Sequence, residues 1–591
     1  MALQVGLFRY FKLTYLLIPL LVLAQAVEDT AAQSAQNIRL TDTVAAQILA
    51  GNFGVDEFPG GMPLDVVSEL PQLLIDELSP DSLRQYLLEL RTFGNRNTGS
   101  DTLSNTSGIG AARRWAHDRL AEFSQRTDNR MQVGYLAFDQ LVCDVTAHRN
   151  VVAVLPGTGP HASEFILVEG HIDSRCAGRC DIDCVAEGME DNGSGTALVM
   201  ELARVMSQYR LDRSIVFMLT TGEEQGLVGA AAFADYTRNN DLGLQAVLNN
   251  DVIGGVICGE TASPPGCPGL NDIDSVNVRL YSASSVRNLA RYVKLGYDER
   301  VANLMPVPTQ INIMSGEDRV GRGGDHIPFR QNGYNAVRFT SANEHGDADA
   351  SDPAYMDRQH TDDDVLGLDT DADGTLDSFF VDFRYLYRNA IINGGALGLL
   401  ASAPPAPVSI TTDVLDSRVA IEIVDPLGRD SFLLAMRRDF TTEWDTLFQV
   451  AALDTLQLDV DVWHLSAAYL DEQGIPSQFS FESRARVRVS STGEILAPLR
   501  SVELLQNVPN PFDDATTIRV EVNTNDLPPV GTIVVRDIKG RELSALPISL
   551  APGIQEVRYA FSAHGYVPGN YSYSLVIDGR PIATRWMVYA Y

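Results

Sequence analysis

The sequence predicts an α/β domain, with a mostly parallel mixed sheet flanked by helices, followed by two all-β sandwich-like domains. Three observations lead there. Between residues 151 and 400, short apolar runs alternate with helical segments. At 401–407 the stretch A-S-A-P-P-A-P reads as a linker. Beyond it the helical signal vanishes and strand patterns run to the end. A chain of 591 residues is too long for one core, and domains of about 100–200 residues suggest three or four.

Taken in order, residues 1–26 read as a secretory signal peptide. Arg9 and Lys12 form the basic start, Leu13 to Leu23 the apolar run, and Ala24-Gln-Ala26 the cleavage site. The apolar run is shorter than the about 20 residues a membrane span needs, and no other segment is long and apolar enough. Residues 27–110 are expected to be a mostly helical segment leading into the next domain. Ser79-Pro80 marks one helix start, with the proline in the first turn. The main α/β domain is expected over 111–401. Its candidate strands are Val151–Leu155, Phe165–Glu169, Ser214–Thr220, Ala246–Asn250 and Ala336–Phe339. Gly195–Gln208, Leu227–Arg238, Ser284–Leu295 and Phe379–Leu400 are its candidate helices. Strands that are apolar throughout, rather than alternating, belong in a sheet covered on both faces.

The formal charge is -32 and the pI about 4.6. An acidic surface of this kind repels phosphate backbones, which argues against a nucleic-acid partner. The six cysteines are Cys143, Cys176, Cys180, Cys184, Cys258 and Cys267. An even count in an exported chain favours disulfides. Cys258 and Cys267 bracket one short loop. The spacing of Cys176, Cys180 and Cys184 fits no common zinc pattern, and Cys143 offers a fourth partner for two bridges.

The chemistry concentrates at five places: His171 in E-G-H-I-D-S, Asp191 in D-N-G-S-G, Glu223-Glu224 in T-T-G-E-E-Q-G, Asp251 in N-N-D-V-I-G and His360 in R-Q-H-T-D-D-D. Most of them fall just after candidate strands, where open α/β sheets build their sites. Two imidazoles and three carboxylates suit a pair of zinc ions, with one carboxylate to bridge. One glutamate is left over, and a free glutamate is what a hydrolase needs to take a proton from water.

Residues about 80–400 resemble the dinuclear-zinc aminopeptidase family of clan MH, which takes in bacterial leucyl aminopeptidases, glutamate carboxypeptidase-like enzymes and glutaminyl cyclases. The resemblance rests on G-H-I-D-S, M-E-D-N-G-S-G-T-A, T-T-G-E-E-Q-G-L-V-G-A, N-N-D-V-I-G, G-D-H-I-P-F-R-Q-N-G-Y-N-A-V-R-F and R-Q-H-T-D-D-D. It implies a zinc exopeptidase fold. It also implies that His171 and Asp251 hold one zinc, Glu224 and His360 the other, and that Asp191 bridges them. Glu223 resembles the general base, and Asp173 would accept the other ring N–H of His171. His326 in G-D-H is expected near the pocket wall. The expected activity is removal of N-terminal residues from peptide substrates. Glutaminyl cyclase-like or carboxypeptidase-like chemistry is the alternative, and a receptor-like binding protein on the same scaffold the non-enzymatic one.

Asp369, Asp371, Asp373 and Asp377 resemble the first part of a calcium loop, although Phe380 stands where an EF-hand needs a glutamate. Residues 408–490 resemble a fibronectin type III-like domain. Residues 500–591, opening on L-L-Q-N-V-P-N-P-F, resemble the sorting domain of type IX secretion. That implies the type IX machinery as a partner, and a protein that crosses the periplasm to be secreted or held on the outer-membrane surface.

Overall fold

The computed structural model describes residues 34–257, 272–319, 322–342, 358–415, 418–487, 502–524, 527–538, 540–561, 566–577 and 580–590. The expected signal peptide and the Cys258–Cys267 loop lie outside them. Nine strands form one mixed sheet: β1 (Gln36–Leu40), β2 (Gln132–Val142), β3 (Val145–Leu155), β4 (Glu164–His171), β5 (Ser214–Thr220), β6 (Gly243–Asn250), β7 (Asn277–Tyr281), β8 (Gln310–Ile313) and β9 (Ala336–Ser341). Their order across the sheet is β1-β2-β3-β5-β4-β6-β9-β7-β8. The central four, β5-β4-β6-β9, run parallel. The β1-β2-β3 side joins antiparallel, as does β7 against β9, and β8 lies parallel to β7.

Alternation along each central strand feeds two separate cores. Ile166 and Val168 of β4, with Ile215, Phe217 and Leu219 of β5, point to one face, while Phe165, Leu167, Val216 and Met218 point to the other. Every one of these side chains is fully buried, which explains why the strands read as unbroken apolar runs. On the first face lie α2 (Leu70–Glu77), α3 (Pro80–Leu90), α4 (Gly108–Gln125), α5 (Ser194–Met206), α7 (Arg287–Arg300) and α9 (Phe383–Ser402). The second face carries α1 (Thr43–Leu49), α6 (Val228–Asn239) and α8 (His326–Gln331). Ser79 caps α3 through the amide of Ser82, with Pro80 in the first turn. Asp382 caps α9 by accepting from the amides of Arg384 and Tyr385, so that helix starts at Phe383 rather than at Phe379.

The segment expected to be mostly helical departs from that reading at its start. Gln36–Leu40 is an edge strand on β2, and residues 94–107 form a loop that reaches beneath the site described below. Among the described residues, no helix is long and apolar enough to cross a membrane.

Beyond α9, every regular element among the described residues is a strand. Seven strands from Ser409 to Arg486 form a three-stranded and a four-stranded sheet, in the orders first-second-fifth and fourth-third-sixth-seventh. Seven strands from Val502 to Tyr589 repeat those two orders around one core that includes Phe512, Ile533, Phe561 and Tyr573. Ile421–Asp454 and Val462–Ala485 group with the α/β body as one compact unit. The reason lies along α7. Asn288 donates to Ser466 Oγ and to the Ser480 carbonyl, the Tyr292 hydroxyl donates to the Pro476 carbonyl, and Arg291 pairs with Glu482 at 2.7 Å. Arg437 grips the same carboxylate at 2.6 Å. Burial would raise Glu482, but the two guanidinium groups outweigh it and hold the carboxyl below the usual range.

Candidate metal centre

The predicted residues converge at the carboxyl ends of the central strands. His171 is the last residue of β4, Asp251 follows β6 directly, and Glu223-Glu224 follow β5 after the turn at Gly222, whose φ is +82°. Asp191 precedes α5, and His360 comes from the segment before α9. Two groups of ligand atoms form, His171–Asp191–Asp251 and Asp191–Glu224–His360, each within 4.8 Å. Asp191 is common to both. Its Oδ1 lies 3.1 Å from His171 Nε2, and its Oδ2 lies 3.0 Å from His360 Nε2. Asp251 Oδ1 is 3.3 Å from His171 Nε2, and Glu224 Oε2 is 3.1 Å from His360 Nε2. Ligand atoms at roughly 2.1 Å around a tetrahedral zinc stand about 3.4 Å apart, so these spacings suit two such ions.

Protonation tests the fit independently. His171 Nδ1 donates to the Asp173 carbonyl at 3.1 Å, which leaves the Nε2 lone pair of the neutral ring facing two carboxylates. That arrangement calls for a cation. With only a proton to fill the role, burial would lower His171, but Asp191 and Asp251 outweigh it and push the imidazole well above its ordinary range. Burial acts the same way on His360, where Glu224 and Asp191 prevail and push the ring up to about 9. Asp191 shows the reciprocal effect: the two imidazoles overcome burial and hold it well below the carboxylate range. A buried set of two imidazoles and three carboxylates that draws in protons fits divalent metal.

Glu223 lines the same cleft of about 280 Å³ but belongs to neither group of ligands. Burial, with Asp251 and Glu224 adding to it against His171, pushes its carboxyl well above the carboxylate range. Asp173 accepts the ring N–H of His171 as expected, but through its backbone. Its carboxylate stands 3.7 Å from His171 Nδ1, and the backbone carbonyl takes the ring N–H instead. The carboxylate accepts from the amides of Glu223 and Glu224 at 3.3 Å, so it orients the turn that carries both glutamates. His326 sits at the start of α8 outside the cluster, its Nε2 donating to the Glu317 carbonyl at 2.9 Å.

Several supports were not read from the sequence. Asn192 ties D-N-G-S-G to β6: its Oδ1 accepts from the amides of Gly195 and Val252, and its Nδ2 donates to the Asn250 carbonyl. A Cβ on Gly195 would meet the Asn250 carbonyl at 2.2 Å and Asn192 Oδ1 at 2.5 Å, so only glycine lets the strand end, the asparagine and α5 pack this closely. Asp364, the last acid of H-T-D-D-D, accepts from the amides of Glu190 and Asp191. Arg338, buried in β9, pairs with Asp251 Oδ2 at 3.1 Å and Asp318 at 2.8 Å. Arg96 in the 94–107 loop donates to the carbonyls of Ile172, Glu187 and Gly188, clamping the segments that carry His171 and Asp191. An arginine inside an otherwise apolar strand was the one available signal for Arg338.

Disulfides join Cys143 to Cys180 and Cys176 to Cys184, closing the loop between His171 and Asp191 and tying it to the β2–β3 hairpin. Asp369, Asp371 and Asp373 lie together on an exposed turn, but their oxygens already accept from the turn's own groups, including the amides of Asp373, Gly374 and Thr375. Asp377 is turned aside to Thr370. The turn is closed by hydrogen bonds of its own.

A model of peptidase family M28 matches residues 150–379, a span that holds the whole cluster. A probable zinc metalloprotease of Leptosphaeria maculans is 29% identical over 437 residues, which are 69% of this chain and 96% of that protein. One of Pyricularia oryzae is 32% identical over 360 residues, 58% of this chain and 68% of its own length. Among solved structures, the LapA aminopeptidase of Legionella pneumophila is similar at 18% identity, with 58% of this chain and 78% of that one covered and a TM-score of 0.40. On the strength of its identity with these metalloproteases across the matched span, this chain belongs to peptidase family M28 and is a zinc metallopeptidase.

Proposed function

We propose that the protein is an exported exopeptidase that uses two zinc ions to remove N-terminal residues from peptides. The observation that carries this reading is the pair of ligand groups sharing Asp191, with Glu223 beside them and outside both. Zinc at these positions supplies Lewis acidity, which eases deprotonation of water and polarises a carbonyl. The chain's own residues do the rest. Glu223, whose carboxyl burial pushes well above the ordinary carboxylate range, takes the proton of the nucleophilic water and hands it to the departing amine. Asp173 keeps that glutamate in place through its backbone amide, and Arg338 holds Asp251 against rotation.

Paired peptides with free and acetylated N-termini test the direction of attack. The zinc-loaded protein is expected to release the first residue of the free peptide and to leave the acetylated one intact. Equal cleavage of both would sink the aminopeptidase assignment and spare the hydrolase.

For export, the reading rests on residues 1–26 and on the P-N-P-F opening of the 500–591 segment. Deleting 500–591 is expected to leave the protein in the periplasm of a host with type IX secretion, while the full chain reaches the surface or medium. Fractionation decides this, and equal delivery of both forms would remove the sorting role.

A further inference from the structure

We propose that the cleft selects peptides with an aspartate or glutamate at a residue flanking the scissile bond, and that Arg179 recognises that carboxylate. The inference rests on the peptidase reading above and adds the substrate class. In a chain with 77 acidic and 45 basic residues, the wall of this one cleft gathers Arg175, Arg179, Arg319 and Arg322. Among the described residues its carboxylates are the three ligand candidates Asp191, Glu224 and Asp251, with Glu223 beside them. Two divalent ions more than match the three ligand carboxylates, which leaves the guanidinium groups to set the potential a substrate meets.

The arginines are not equivalent. Arg175 donates to Glu224, with its guanidinium lying 2.7 Å from His360 Nδ1, and Arg319 lies against Asp318. Arg179 is exposed, and among the described residues its guanidinium has no partner. Its backbone, by contrast, is pinned. The Arg179 carbonyl accepts from Asn97 at 2.8 Å and from Gln225 at 2.9 Å, and Gln225 follows Glu224 directly. The next residue, Cys180, is bonded to Cys143, and Cys176–Cys184 closes the same loop. A cationic fork on a doubly stapled backbone, hydrogen-bonded to the turn that bears a metal ligand, has only its own side chain left to order when it takes a carboxylate.

The test compares Glu and Gln at each of the two flanking positions in otherwise identical peptides, using the zinc-loaded full chain. At one of them kcat/KM for Glu is expected to exceed that for Gln by about tenfold or more, with the ratio shrinking as salt rises. Arg179→Gln is expected to bring the ratio to about one, and Arg179→Glu to reverse it in favour of a Lys peptide. Equilibrium binding of the same peptides to zinc-loaded Glu223→Gln protein gives a readout that needs no turnover, and the same Glu preference is expected there. Equal kcat/KM for Glu and Gln peptides in the wild type, or an undiminished ratio in Arg179→Gln, would overturn the proposal while leaving the peptidase intact. Failure of the wild type to cleave any peptide would overturn the peptidase reading instead.

Discussion

Replacing Glu223 with glutamine is expected to lower kcat by about 10³–10⁴-fold while zinc content and thermal stability stay at wild-type levels. The amide has nearly the shape of the carboxylate, and Glu223 belongs to neither group of ligands, so the metal centre should assemble without it. What the substitution removes is, among the described residues, the only carboxylate of the cleft wall left free to accept a proton, since Asp191, Glu224 and Asp251 face the metal positions. Its backbone amide, which Asp173 holds at 3.3 Å, is untouched by the change. Metal analysis alongside single-substrate kinetics separates the two effects. A variant that keeps its zinc and also keeps more than about a tenth of wild-type turnover would assign the proton transfer to another group.

Glu223 also shows how far the sequence carries. Its position next to Glu224 was readable because the strand Ser214–Thr220 is apolar on both faces and ends in a turn, which places whatever follows at the edge of the sheet. The same logic located His171 and Asp251 at the ends of β4 and β6. Edge strands gave no such signal. Gln36–Leu40 is largely solvent-facing, Gln310–Ile313 alternates polar and apolar over four residues, and Asn277–Tyr281 carries the buried Arg279. Each is made a strand by its neighbour rather than by its own pattern. The supports of the site escaped for a related reason. Arg96 reaches it from about 75 residues before His171, and Asp364 holds the Asp191 amide across 173 positions. Partnerships at that range leave no local spacing to read. Asp173 accepts the ring N–H of His171 as expected, but spacing shows only that it lies near His171 and not that the backbone carbonyl rather than the carboxylate meets the ring.

Asp191→Asn should damage the metal centre more than loss of any other ligand. Asp251→Asn or Glu224→Gln each alters one group, whereas Asp191 is the only member of both. Its two oxygens face different imidazoles, at 3.1 and 3.0 Å, and an asparagine must turn an NH₂ toward one of them. That donor opposes a cation on its side, and the lost negative charge weakens binding on the other. Zinc per chain is therefore expected to fall below one, with kcat/KM down by about 10³-fold or more, since Lewis-acid assistance is worth several kcal/mol. Metal uptake should also carry a pH signature in the wild type. In the metal-free protein His360 is pushed up to about 9, because Glu224 and Asp191 outweigh burial. That value lies above the about 6.5 of an unfolded imidazole, so its contribution to metal-free stability is full below about pH 6.5 and is lost as pH rises through about 9. Zinc must displace the same proton, so affinity should climb with pH across that interval and level off above it. Removing Asp191 takes away one of the two carboxylates that raise His360, and the climb should move to lower pH along with the loss of affinity. Calorimetric zinc titrations at several pH values, with melting temperatures measured with and without chelator, read both quantities. An Asp191→Asn protein that still binds two ions and keeps the wild-type rise in melting temperature would show that this carboxylate does not join the two positions.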